Sequence, residues 1–312
     1  MWSSVSDDQF IFSKYNIEPI GSGPYKLKSL TKDSGGIPQE YKLAVSNDYY
    51  ATKAYLDYIT FVFFSDIDKA ISALEKGKIE SIASLSSKQA EQFSKEDYNI
   101  ISTPLPRIFG AFFNQNNNPI LADRTVRQAL DIAIDRQVII NSALNGYGSP
   151  IDGPLPYGSV STSSKSQKVN MDLARSILEK TGWVKNPGTG IYEKKGPKNT
   201  IQILAFDLVT ADATDLKLTA QIIKEAWTNL GAKVEVKIFD TSDLYQNIIR
   251  PRKYDVLLFG QLIGKDRDLY AFWHSSQRNS PGLNVAMYTN SKADEILEFI
   301  RTNGDRTINQ RK

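Results

Sequence analysis

Apolar residues alternate with polar ones in some stretches of this chain, recur at helical spacing in others, and run uninterrupted in two. Tyr25-Lys-Leu-Lys-Ser-Leu30 alternates, the polar stretch 31–39 contains Gly35-Gly36, and Tyr41-Lys-Leu-Ala-Val45 answers it, which predicts a hairpin. Residues 58–64 read as a further strand. Asp66 is placed to cap a helix over 67–76 that Gly77 ends, and a short helix follows at 89–93. The strands expected at 108–114 and 254–260 are apolar from 108 to 113 and from 256 to 260, the pattern of buried strands. Between them, Val126, Leu130, Ile134 and Val138 recur at helical spacing and predict one helix over 124–144. A helix over 172–181 stops at Gly182, and a hairpin over 183–196 turns at 186–190. A strand at 201–206, a long amphipathic helix at 216–230 closed by Gly231, and a half-exposed strand at 234–239 come next. Helices at 244–249 and 294–301 complete the pattern, and 159–166 reads as a Ser-rich surface loop. Strands alternating with helices predict an α/β fold with substantially parallel pairing.

Composition removes several classes of function. The 312 residues carry 38 basic and 35 acidic side chains, scattered along the chain, so no basic groove for nucleic acid is expected. Without cysteine there is no disulfide, thiolate metal site, catalytic Cys or lipid-modified Cys within this chain. His274 is the single histidine, which argues against a metal centre built from protein ligands alone. The polar start Met1-Trp-Ser-Ser-Val-Ser-Asp-Asp has neither the basic nor the apolar region of an export signal, and no window is apolar enough for membrane insertion. Gly260-Gln-Leu-Ile-Gly264-Lys265-Asp266 is one residue short of a phosphate loop and has Asp where a hydroxyl would hold magnesium. Arg127, Asp135 and Arg136 read as residues that fix their helix, and Phe206, Trp227 and Phe239 as core. The aromatic group Tyr270, Phe272 and Trp273, interleaved with polar residues, fits either a ligand cleft or packing.

The stretch from Arg107 carries a resemblance. An apolar strand ends in Asn114, Pro119 follows, and the helix reads Asp123-x-x-Val126-Arg127-x-Ala129-Leu130-x-x-Ala133-Ile134-Asp135-Arg136. This resembles the family 5 extracellular solute-binding proteins, the peptide and nickel receptors of ABC importers. Flanking segments fit in the same order: Gly21-Ser-Gly-Pro-Tyr25, Asn47-Asp-Tyr-Tyr50, Tyr55-Leu-Asp57, the run from Ala73 to Glu80, and Tyr254-Asp255 through Gly260 to Trp273-His-Ser-Ser276.

The resemblance implies an incomplete bilobal, type II periplasmic-binding-protein-like α/β fold. The first lobe is expected at 1–107, a crossing strand at 108–114 beside its counterpart at 254–260, and the second lobe at 115–253. Residues 254–312 are then the return crossing and a truncated first-lobe segment. The chain is expected to be a fragment that has lost its export signal, from a periplasmic or extracellular, cell-surface-associated protein. The implied activity is capture of a peptide or similar small solute in a cleft, without chemistry, as a monomer serving ABC transporter membrane subunits. No catalytic residue, metal or cofactor is expected.

The polar and aromatic residues at the ends of the crossing strands are the expected solute contacts: Phe113, Asn114, Gln115, Gln261, Asp266, Trp273 and His274. The family's usual Trp and Asp at the second crossing are Gln261 and Gly264 here, so Asp266 is the nearest counter-charge for a ligand amine. Two alternatives stand beside this: a serine hydrolase using His274 with Ser275 or Ser276 and Asp266, and a truncated chain that binds nothing.

Overall fold

The structure, a computed structural model, describes residues 9, 12–52, 54–93, 98–103, 105–155, 168–196, 199–264 and 268–302. The chain divides into two compact units, Met1–Ser86 and Ser87–Lys312.

In the first unit β1 (Tyr25–Lys32), β2 (Pro38–Val45) and β3 (Tyr58–Val62) form an antiparallel sheet in that order. The predicted turn is closed by Asp33, whose Oδ1 accepts from the amides of Gly35 and Ile37, each at 2.9 Å. The register sets Leu27 opposite Leu43 and Leu43 opposite Ile59, which puts apolar positions on one face. Helix α1 (Ile67–Glu75) begins where expected, with Asp66 accepting from the Lys69 amide at 2.9 Å. That bond, with the Lys69 ammonium beside it, holds the Asp66 carboxyl below its ordinary range.

The second unit opens with α2 (Ser87–Phe93) and β4 (Arg107–Phe113). Helices α3 (Pro119–Ala122), α4 (Arg124–Ile132), α5 (Arg136–Ala143) and α6 (Met171–Lys180) follow. A small antiparallel sheet comprises β5 (Val184–Lys185), β6 (Tyr192–Lys195) and β7 (Ile201–Ile203). Then come β8 (Ala205–Ala211), α7 (Thr214–Leu230) and β9 (Lys233–Phe239). The short α8 (Thr241–Asp243) leads into a π-helical turn at Leu244–Ile249, followed by β10 (Val256–Leu262), α9 (Tyr270–Trp273) and α10 (Ser291–Thr302).

The main sheet has the order β4-β10-β8-β9, with β10, β8 and β9 parallel and β4 antiparallel to β10. The two uninterrupted apolar runs are therefore neighbours, as expected. Their lack of alternation follows from burial on both faces. Val256 and Leu258 face a core with Phe206, Leu208, Trp227 and the α4, α6 and α7 helices. Leu257, Phe259 and Phe112 face a second core with Leu244, Tyr254, Val285 and Ala286.

Two expectations are corrected. The helix predicted over 124–144 is broken: α4 ends at Ile132, and Asp135, in extended backbone, caps α5 by accepting from the amides of Gln137 and Val138. A local capping carboxylate outweighs the continuous apolar period. The strand predicted over 201–206 is two strands in different sheets, divided at Leu204, and the second runs on to Ala211. Gly231 closes α7 as predicted. Its φ is +121°, and a Cβ there would lie 2.8 Å from the Tyr192 ring. The loop expected at 159–166 lies outside the described residues.

Candidate functional site

Each candidate residue is placed by the β4/β10 pair. The register sets Phe113 opposite Val256 and Ile108 opposite Gln261. The C-terminal end of β4 thus lies beside the start of β10, and Gln261 lies at the other end. Five residues of antiparallel strand separate the two groups by roughly 17 Å.

At the first end Phe113 packs into the core with its ring centroid 6.0 Å from that of Trp227. Asn114 is 1% exposed. Its Nδ2 donates to Arg252 O at 2.9 Å, and its Oδ1 accepts from the amides of Asn116 and Asn117. Gln115 is half-buried in the same turn. Asp255 completes this knot, accepting from Asn117 Nδ2 at 2.7 Å, Asn118 Nδ2 at 3.3 Å and the Asp207 amide at 3.1 Å. The Asn-rich segment before Pro119 is therefore a satisfied polar hub whose Asn118 starts α3, while Asp123 starts α4. Arg127 closes the next turn by donating to the carbonyls of Leu121 and Ala122, each at 2.8 Å, and Arg136 pairs with Asp131 at 2.6 Å, the fixing roles expected of them.

At the second end Gln261 is 4% exposed, and its Oε1 has no hydrogen-bond partner among the described residues. Across the pair, Phe109 lies against Gly260, where an added Cβ would come within 2.7 Å of the Phe109 ring. Phe109 remains partly exposed, with the Arg107 guanidinium 4.7 Å from its ring centroid. Sequence reasoning missed Arg107 and Phe109. An apolar run gives no alternation from which to tell the exposed position from the buried ones.

Asp266 lies outside the described residues. Trp273 packs between Phe112 and Tyr288 with centroids 6.3 and 5.9 Å away, and its Nε1 is buried without a partner among the described residues. His274 is buried, its ring stacked on Tyr270 at 4.2 Å. The aromatic group left open between cleft and core is thus substantially packing. Ser276 Oγ lies 2.8 Å from His274 Nδ1, but the Ser276 amide donates to that same nitrogen and Gln277 Nε2 donates to the hydroxyl at 3.0 Å. This arrangement is a helical cap, and it leaves the hydroxyl spoken for. Among the described residues no three His, Asp or Glu side chains gather to hold a metal ion.

The site region is thus an α/β sheet covered on both faces, with the β4/β10 pair at its edge and, among the described residues, a buried amide oxygen without a partner on Gln261. Residues 3–281 match the family described as bacterial extracellular solute-binding proteins, family 5 Middle, and the chain belongs to that family. It is similar to the oligopeptide-binding protein AppA of Bacillus subtilis, 28% identical over 302 residues that cover 93% of this chain and 52% of AppA. The structure of that AppA in complex with a nonapeptide superposes with a TM-score of 0.66 at 26% identity, covering 98% of this chain and 60% of AppA. The nickel-binding protein NikA of Staphylococcus aureus is 25% identical over 91% of this chain and 54% of its own length. The fold is the type II periplasmic-binding-protein-like fold. The chain spans about half the length of the curated relatives it matches. Among the described residues no helix is long and apolar enough to cross a membrane.

Proposed function

We propose that this chain is the solute-capturing part of an ABC-type importer, holding a peptide or similar small solute without making or breaking a bond and presenting it to the transporter's membrane subunits. The observation that carries this reading is the family match along residues 3–281, over a fold whose β4/β10 pair leads into and out of the block 115–253. The division into 1–107, 115–253 and 254–312 belongs to the same proposal, as does a periplasmic or cell-surface location.

The solute is assigned to the Gln261 end of the strand pair. An unpartnered buried carbonyl oxygen calls for a donor, and a peptide N–H supplies one. Arg107 and Phe109 lie at the same end of the strands but, by the alternation of the pleat, on the sheet face opposite to Gln261, so they are not assigned to that contact. Trp273 and Asp266 stay in the proposed site, Asp266 as the counter-charge for an amine. Phe113, Asn114 and Gln115 are assigned to the structural hub, and His274 to its cap. A peptide is favoured over a metal held by protein ligands, because the single histidine is already engaged on both ring nitrogens.

A thermal-shift screen tests the proposal. Oligopeptides are expected to raise the melting temperature, and sugars and nickel salts to leave it unchanged. A rise with nickel alone, or a flat response to every peptide, would overturn the assignment.

A further inference from the structure

Helix α10 carries a charged stripe beside a half-buried apolar row, Ala293, Leu297 and Ile300. Asp294, Glu298 and Arg301 stand at i, i+4 and i+7, and all three meet the segment 268–277. Asp294 Oδ1 accepts from the Ser275 amide at 2.9 Å. Glu298 Oε1 lies 3.2 Å from His274 Nε2, and Asp294 Oδ1 lies 3.8 Å from the same nitrogen. Arg301 pairs with Asp268 at 3.4 Å and lies over the Tyr270 ring, 4.3 Å from its centroid. None of the residues described in α10 is buried, and Ile296 is half-exposed.

The histidine's protonation pattern follows from its partners. The Ser276 amide can only donate, so Nδ1 accepts and the ring proton sits on Nε2, directed at the two carboxylates. His274 therefore does two jobs at once. It caps the turn Ser275–Gln277 through one nitrogen and fastens α10 through the other. Hydrogen bonds donated by Ser275, the hydroxyl's first and then the amide's, hold the Asp294 carboxyl below its ordinary range. The other side of the same segment is fixed separately: Asn284, fully buried, donates to the carbonyls of Trp273, His274 and Tyr288.

We propose that His274 is a positioning residue, the centre of a polar latch that fastens α10 to the Trp273 segment, and that α10 opens and closes on this latch as a unit without unfolding the sheet. The His274–Glu298 hydrogen bond to an exposed carboxylate and the exposed Arg301–Asp268 ion pair are weak, whereas the sheet is held by two apolar cores. The two therefore differ in the free energy needed to open them. This inference does not depend on the proposed solute.

Hydrogen–deuterium exchange on the 312-residue chain tests it, reading Ser291–Thr302 against Val256–Leu262. In the parent chain α10 amides should exchange at least roughly tenfold faster than β10 amides. Glu298→Gln, altering a side chain that is 60% exposed, should speed α10 exchange by a further roughly threefold to tenfold and leave β10 unchanged. His274→Ala should do the same and also loosen residues 275–277. Should His274→Ala fail to fold, Glu298→Gln still decides. Equal protection of α10 and β10 in the parent chain, or loosening of both together in Glu298→Gln, would overturn the latch.

Discussion

Asn114 and Gln261 are equally buried amides at opposite ends of one strand pair, and their surroundings give them different work. Asn114 has donor and acceptor both engaged within the chain, whereas Gln261 keeps an oxygen without a partner among the described residues. Asn114→Ala should lower stability by about 1–3 kcal/mol, since it strands the Arg252 carbonyl and two amides, and should leave peptide affinity unchanged in the protein that still folds. Gln261→Leu should keep or raise the melting temperature and weaken peptide binding by roughly tenfold or more. Chemical denaturation and titration calorimetry on both variants check the pair of outcomes. An affinity loss confined to Asn114→Ala would move the site to the other end of the strands. At this scale the sequence showed which residues were polar and near the strand ends. Antiparallel register, which puts 113–115 far from 261, is not readable from composition or period. The contact of His274 with α10 was likewise hidden, because Asp294 and Glu298 lie about twenty residues away in the chain.

Among elements, those with a local cause were legible. Asp66 capping α1, Gly231 closing α7 and Asp33 within the first hairpin each act through neighbours in sequence. The two uninterrupted apolar runs foretold strands covered on both faces, and the structure packs a separate core on each. The break between α4 and α5 was missed because the apolar period continues across it while Asp135 ends it locally. The change of sheet at Leu204 was missed for another reason: Leu204 is buried like its neighbours, and only its backbone partners, Tyr192 on one side and Lys233 on the other, mark the transfer. Asp135→Ala should cost about 0.5–2 kcal/mol through loss of the cap on α5, measured by urea unfolding. No change in the midpoint would mean that α5 is held by packing alone.

For the whole molecule, the resemblance carried by the 107–136 stretch was confirmed along residues 3–281, and with it the type II fold. That β4 and β10 are buried strands was legible because their apolar character is strong. Which end of the pair takes the solute was not, since that depends on which buried groups find partners after folding. The division of labour that results is physical: a satisfied polar hub at one end, and at the other a buried amide oxygen without a partner among the described residues. The most direct measurement of the central claim is a calorimetric titration of the 312-residue chain with oligopeptides up to a nonapeptide, followed by mass analysis of the recovered peptide. The account predicts saturable one-to-one binding and a peptide recovered intact. A cooperatively melting chain that binds none of them, or that returns the peptide cleaved, would contradict it.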